Sequence, residues 1–244
     1  MVTALVLSGG TGTRVGGEIP KQYIEVKGRP VIAYCLRTFL SHEEIDAVQI
    51  VAEEAWRETI RNCVEQLQEE GEAPKLGSWG NSKFRGFSAP GKTRQLSILN
   101  GLEDIRKYAG DSEDYVLIHD AARPLVTAKQ ISACIEAVRA GHDGALPVLL
   151  MKDTVYLSED GKAVTSLLDR KKVFAGQAPE IFALGKYYRA NKALLPERIL
   201  GINGSTEPAV LAGMDITMIP GDEGNFKITT LSDLERFRER YFEH

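Results

Sequence analysis

The sequence predicts a three-layer α/β fold built on a mostly parallel sheet, and three observations carry that prediction. Short apolar runs rich in β-branched residues recur at 2–7, Ala47–Val51, 115–119 and 145–149. Stretches with helical periodicity separate them, and parallel neighbours need crossovers of that length. Polar or glycine-rich motifs follow the first and third runs directly, where sheets of this kind bind ligands, beyond the carboxyl ends of the strands.

After the first turn, 24–26 reads as extended and Lys27-Gly28 as a turn. Pro30 is placed at the first helical position of a segment whose apolar face is Val31, Ile32, Cys35, Leu36, Phe39 and Leu40. A charged amphipathic helix covers 54–70, and 71–92 is the longest irregular segment, with one short strand at 84–87. Thr93 is the expected N-cap of a helix that turns Leu96, Leu99, Leu102 and Ile105 inward. Thr127 opens another, with Ile131, Cys134, Ile135 and Val138 inside. The turn Glu159-Asp160-Gly161-Lys162 between 154–157 and 164–168 signals a β-hairpin projecting from the sheet. A helix over 184–195, a turn into a short helix at 204–208, a strand at 214–219 and an extended stretch at 226–229 follow. Ser232 is the expected cap of a closing helix that carries Leu234 and Phe237.

Composition narrows the function classes. A net charge of −4 argues against a general nucleic-acid binder while allowing a local basic pocket. Cys35, Cys63 and Cys134 are odd in number, widely spaced and set in helical apolar patterns, which suits reduced thiols as core filler. No apolar run approaches ~18 residues and the N-terminus lacks a basic leader, so a soluble, cytoplasmic protein is expected. Without internal repeats or low-complexity linkers, 1–244 reads as one domain plus the arm.

The first turn is Leu7-Ser8-Gly9-Gly10-Thr11-Gly12-Thr13-Arg14, with Pro20-Lys21-Gln22-Tyr23 close behind. Three glycines in four residues leave main-chain N–H groups open to a phosphate, and Arg14 and Lys21 add two positive charges. A Walker A loop is absent, and the dinucleotide fingerprint fails because Val15 stands where its third glycine belongs. Paired cations directly after the glycines suit a triphosphate better than a dinucleotide. Arg94 and Ser97 fall in the first turn of their helix, where free N–H groups and the helix dipole favour an anion or a polar base edge. His119, at a strand end, reads as a structural hydrogen-bonder, and Trp56 and Trp79 as packing or loop residues.

The ordered set of motifs resembles the cytidylyltransferases of 2-C-methyl-erythritol 4-phosphate and ribitol 5-phosphate. Besides the two segments above, it comprises Arg94 with Ser97, His119-Asp120-Ala121-Ala122-Arg123-Pro124, Lys152-Asp153-Thr154, Asp169-Arg170, Gln177-Ala178-Pro179 and Asn225-Phe226-Lys227-Ile228-Thr229. The resemblance implies a Rossmann-like nucleotidyltransferase sheet with 152–175 as a dimerisation arm. It implies attack of an acceptor phosphate on the α-phosphorus of CTP, with pyrophosphate leaving and a CDP-polyol formed. Arg14, Lys21, Arg170 and Lys227 are the implied catalytic residues. Ser8, Gly9, Gly10, Thr11, Gly12, Gly91, Arg94, Ser97 and Ala121 are implied against the nucleotide, and Asp120, Arg123, Ser205 and Thr206 against the acceptor. Mg²⁺ is implied on the CTP phosphates, with no dedicated protein metal site, and a homodimer is implied because Arg170 reaches a partner's site.

Three departures bear on the acceptor: Ser205-Thr206-Glu207 in place of Thr-Asp-Glu, Ala178 where threonine is frequent, and Pro90-Gly91-Lys92 ahead of Arg94. Asp169-Arg170 favours methylerythritol phosphate as the acceptor, while the wording of the glycine loop is closer to the ribitol branch. Two other classes remain as alternatives. One is a nucleotide-binding protein without turnover; the other is an NAD oxidoreductase, for which Glu53 is the nearest candidate acid.

Overall fold

The computed structural model describes residues 1–10, 19–74, 83–109 and 114–242. In chain order the strands are β1 (Val2–Leu7), a short antiparallel pair β2 (Glu25–Val26) and β3 (Arg29–Pro30), β4 (Ala47–Val51), β5 (Phe84–Ser88), β6 (Tyr115–Asp120) and β7 (Gly144–Leu150). The hairpin β8 (Val155–Leu157) and β9 (Ser166–Leu168) follows, then β10 (Phe174–Gly176), β11 (Glu180–Ala183) and β12 (Ile216–Pro220). Helices are α1 (Val31–Ser41), α2 (Glu54–Glu69), α3 (Arg94–Ile105) and α4 (Ala128–Arg139). The second half adds α5 (Leu184–Lys192), α6 (Glu207–Leu211) and α7 (Leu231–Phe242).

Eight strands make the central sheet in the order β10-β7-β11-β6-β1-β4-β5, with β12 on the other edge of β7. The pairs β6–β1, β1–β4, β4–β5 and β7–β12 are parallel, as the helical crossovers predict. The sequence did not reveal β10 and β11, which run antiparallel beside β7 and, for β11, beside β6. These strands have three and four residues, too few for a period to show, and the chain between them contains Pro179.

Side chains alternate between two helical layers. One face of the sheet presents Leu5, Val51, Val116, Ile118 and Phe182 to α3 and α5, packing with Ile98, Leu102 and Tyr187. The other presents Ala4, Val6, Val48, Ile50, Leu117 and Ile181 to α1, α2 and α4. Leu5, Ile50 and Phe182 are wholly inaccessible, and burial of one such side chain stabilises the fold by roughly 1.5–3 kcal/mol. Cys35, Cys63 and Cys134 are all buried in these layers, and burial pushes the Cys35 and Cys134 thiols up to about 12.

Local signals hold at two helix starts and fail at two others. Thr93 caps α3 by accepting from Leu96 N, and Thr127 caps α4 in a full capping box with Gln130. Pro30 stands one residue outside α1, as its cap, with extended backbone that pairs in β3. Ser232 lies inside α7. Its expected role falls to Thr230, whose hydroxyl accepts from Asp233 N at 3.2 Å while Asp233 Oδ2 accepts from Thr230 N at 2.8 Å. The hairpin β8–β9 forms its own two-stranded sheet, turned by Asp160, whose Oδ1 accepts from the amides of Lys162 and Ala163. Among the described residues no helix is long and apolar enough to cross a membrane.

Candidate active site

A cleft of about 520 Å³ opens beyond the carboxyl ends of β1, β4 and β6, a volume typical of small-molecule sites. Leu7, Val51 and Asp120 lie level across these strands, since Leu7 pairs with Val51 on one side and with Asp120 on the other. All three therefore point from the same face into the cleft, and all three line it. The described walls carry four cations, Lys21, Lys92, Arg94 and Lys227, against two carboxylates, Glu53 and Asp120. That surplus suits a polyanion.

The glycine loop enters this cleft in a defined way. Ser8 N donates to Val51 O, Ser8 Oγ donates to the Tyr23 hydroxyl at 2.8 Å, and Gln22 Nε2 donates to the carbonyls of Ser8 and Gly10 at 2.9 and 2.7 Å. Ser8 is thus buried and fully engaged behind the lining. Tyr23 in turn stacks on Trp56 of α2, with ring centroids 4.3 Å apart, so Trp56 is a packing residue. The turn Lys21–Tyr23 is therefore buckled to the start of the loop, and Lys21 sits at the cleft wall. Gly9 and Gly10 both line the cleft, for different physical reasons. A Cβ on Gly9 would lie 2.6 Å from Pro90 Cβ, so Gly9 lets the 88–92 segment close against the loop, whereas Gly10 faces open space. Thr11, Gly12 and Arg14 lie outside the described residues.

The opposite wall is the start of α3. Gly91 packs on that helix so closely that a Cβ would lie 2.4 Å from Leu96 Cβ, and Gly91 N donates to Ser97 Oγ at 2.9 Å. Gly91, Arg94 and Ser97 all line the cleft, joined by Lys92 and Thr93 of the same segment. Ala121 is buried with its N–H on Leu7 O, and the lining position falls to Ala122. Trp79 lies outside the described residues.

The floor is a chain of charges. Arg94 Nη2 donates to Asp120 Oδ1 at 3.0 Å, and Lys227 Nζ donates to Asp120 Oδ2 at 2.9 Å. Arg123 Nε lies 3.9 Å from the same oxygen, and Arg123 Nη1 donates to Asn225 O at 2.7 Å. Burial opposes the Asp120 charge, but Arg94 and Lys227 outweigh it and hold the carboxyl far below the usual range. Arg94 also donates through Nη1 to Ser205 Oγ. Ser205 Oγ and Thr206 Oγ1 donate to the buried carboxylate of Glu180 at 3.2 and 2.7 Å. Arg123, Ser205 and Thr206 thus stand behind the lining, linked to it through Asp120 and Arg94. Glu180 was missed from the sequence because a lone acid in a four-residue strand carries no signal.

His119 alternates to the other face, wholly buried, edge-on to Phe39, with Nε2 2.9 Å from Arg123 O. Burial lowers its pKa to about 4, so it is neutral and holds the Asp120–Arg123 turn. Arg170 is exposed on the arm, donating through Nη1 to Lys152 O at 2.9 Å, and is not part of this chain's cleft lining.

With this geometry in hand, the family model for 2-C-methyl-D-erythritol 4-phosphate cytidylyltransferase matches residues 2–241. A 2-C-methyl-D-erythritol 4-phosphate cytidylyltransferase of Rubrobacter xylanophilus is 37% identical over 235 residues, 95% of this chain and 90% of that protein. A ribitol-5-phosphate cytidylyltransferase of Streptococcus agalactiae is 31% identical over 245 residues, 99% of this chain and 95% of that one. The crystal structure of 4-diphosphocytidyl-2C-methyl-D-erythritol synthase from Anaerococcus prevotii superposes with a TM-score of 0.78 at 25% identity, covering 100% of this chain and 96% of its own. The chain belongs to the 2-C-methyl-D-erythritol 4-phosphate cytidylyltransferase family.

Proposed function

We propose that the protein joins CTP to 2-C-methyl-D-erythritol 4-phosphate, releasing pyrophosphate and forming the CDP-polyol. The observation that carries this reading is the cationic cleft between the glycine loop and the start of α3, in a chain of this family. Relatives named for methylerythritol phosphate reach 35–37% identity, against 31% for those named for ribitol phosphate, which favours the first acceptor. Ribitol 5-phosphate remains the second reading because those relatives align over 99% of the chain.

The acceptor phosphate is already anionic at neutral pH, so attack needs alignment and charge neutralisation rather than a base. Lys21 and Arg14 would neutralise charge on the α-phosphate and the departing pyrophosphate. Lys227 would hold the acceptor phosphate beside Asp120, with Arg170 supplied from a partner. Among the described residues no group of three or more His, Cys, Asp or Glu could hold a metal ion, and Asp120 already faces two cations. Mg²⁺ would accordingly be held by the triphosphate oxygens, where it would supply further charge neutralisation.

We read 1–244 as one nucleotidyltransferase domain whose 152–175 arm pairs two copies. The arm's Tyr156, Leu157, Val164 and Leu167 are each at least 45% exposed, and an isolated two-stranded hairpin of this kind is marginal in water. A reducing cytoplasm suits the three free thiols. The test is pyrophosphate release from each NTP with either acceptor. Release with CTP and methylerythritol phosphate supports the reading, release with ribitol phosphate alone reassigns the acceptor, and CTP binding without release makes the chain a nucleotide-binding protein.

A further inference from the structure

We infer that Glu180 is a positioning residue that aims the Ser205 and Thr206 hydroxyls and, through Ser205, fixes Arg94 against Asp120 on the acceptor side of the cleft. The inference rests on the acceptor being bound beside Asp120 and Lys227.

Glu180, like Arg123, stands behind the cleft lining, and the reaction as written does not use it. Its place follows from register. Glu180 pairs with Ile118, so it shares a sheet face with Ile118 and Asp120 and looks into the layer that holds α3. Each carboxylate oxygen is assigned: Oε1 accepts from Ser205 and Oε2 from Thr206. The main chain of the same turn is tied independently, because the Tyr187 hydroxyl donates to Ser205 O at 2.7 Å while receiving Gln95 Nε2 at 3.2 Å. Tyr187 therefore locates the turn, and Glu180 decides which way its two hydroxyls face.

Two acceptors on one buried carboxylate force both hydroxyls to donate inward. Ser205 Oγ then offers its lone pairs to Arg94 Nη1, and Arg94 can present Nε and Nη2 together to Asp120 Oδ1. Without the carboxylate, the Ser205 hydroxyl loses its acceptor and its orientation, and the guanidinium loses its second anionic neighbour. Burial raises the Glu180 pKa, with the Arg94 charge and the Thr206 hydrogen bond working against that. The glycine loop is attached to Tyr23 rather than to this turn, and Gly91 is held by Ser97 on the same wall as Arg94. Removing Glu180 should therefore disturb the acceptor most, and the nucleotide only through Arg94, which the resemblance implies against it.

Glu180→Ala is expected to raise the acceptor KM about tenfold or more and the KM for CTP by a clearly smaller factor. Glu180→Gln, which keeps one acceptor oxygen and puts an N–H2 donor where the other stood, is expected to fall between wild type and Glu180→Ala. Equal changes in both KM values, or none in either, overturn the inference. Backbone amide NMR reads the same tie without turnover: the Ser205 and Thr206 signals should both move in Glu180→Ala, whereas in Glu180→Gln the one that keeps the acceptor oxygen should stay close to wild type. Should Glu180→Ala fail to fold, Thr206→Val breaks the tie from the other end and should move the Ser205 signal. Unmoved signals overturn the inference whatever the activity. Wild-type protein that transfers cytidylyl to neither acceptor overturns the proposed function instead, and the NMR arm then judges Glu180 alone.

Discussion

The floor of the cleft and the arm hold their cations in opposite ways. At the floor, Arg94 and Lys227 converge on the two oxygens of one carboxylate, and those three groups come from α3, β6 and the stretch before α7. On the arm, Arg170 sits in a short exposed turn after β9, held by Lys152 O, among residues with no core of their own. A charge in the first setting is oriented by the folded chain. A charge in the second has reach, and the proposed dimer would give it a second surface to bind. One charge array can thus be set by folding and completed by assembly.

The sharpest way to break this comparison is at the wall that folding builds alone. Lys21→Ala should lower kcat by about 100-fold or more with a normal melting temperature, because Gln22 and Tyr23 still buckle the loop. A rate within threefold or so of wild type would remove Lys21 from the proposed chemistry.

Mixing variants sharpens the assembly side. Arg170→Ala should cost about tenfold to 100-fold in kcat/KM while the dimer persists, and mixing it with Lys21→Ala should restore up to about a quarter of wild-type activity. That recovery arises because one site in each mixed dimer draws Lys21 from one subunit and Arg170 from the other, both intact. Additive inactivity would place Arg170 in its own chain's site.

A smaller effect tests how firmly the floor is set by burial. His119 has a folded pKa of about 4 against an ordinary value near 6.5, so the unfolded chain binds the extra proton between those values. Its contribution, about 3 kcal/mol, is complete above pH ~6.5 and is lost as pH falls towards 4. His119→Gln should flatten urea-unfolding stability across that window, and an unchanged slope would remove His119 as its source.

Much of the cleft could be read from the chain because its parts are local. A glycine loop after a strand, Thr93 capping α3 and Asp120 closing β6 each depend on residues within a few positions. Arg94 and Asp120 converge because both stand at element ends that parallel connectivity brings together. The rest was hidden for stated causes. Glu180 becomes meaningful only when β11 inserts between β7 and β6, a strand of four residues with no period. Gly9 looked like a bare amide for phosphate, yet its missing Cβ also admits Pro90, which is eighty-one residues away.

By itself, then, the amino-acid order determined the layered α/β class, the caps at Thr93 and Thr127 and the crevice, because periodicity and turn chemistry act over short separations, while its ordered motifs carried the resemblance to the family. Only the tertiary structure decided which partner each buried polar group takes: Ser8 with Tyr23, Arg94 with both Asp120 and Ser205, Glu180 with Thr206. A buried donor or acceptor must be satisfied by whatever packing brings within about 3 Å, and that distance is set by the whole sheet rather than by neighbours in the chain.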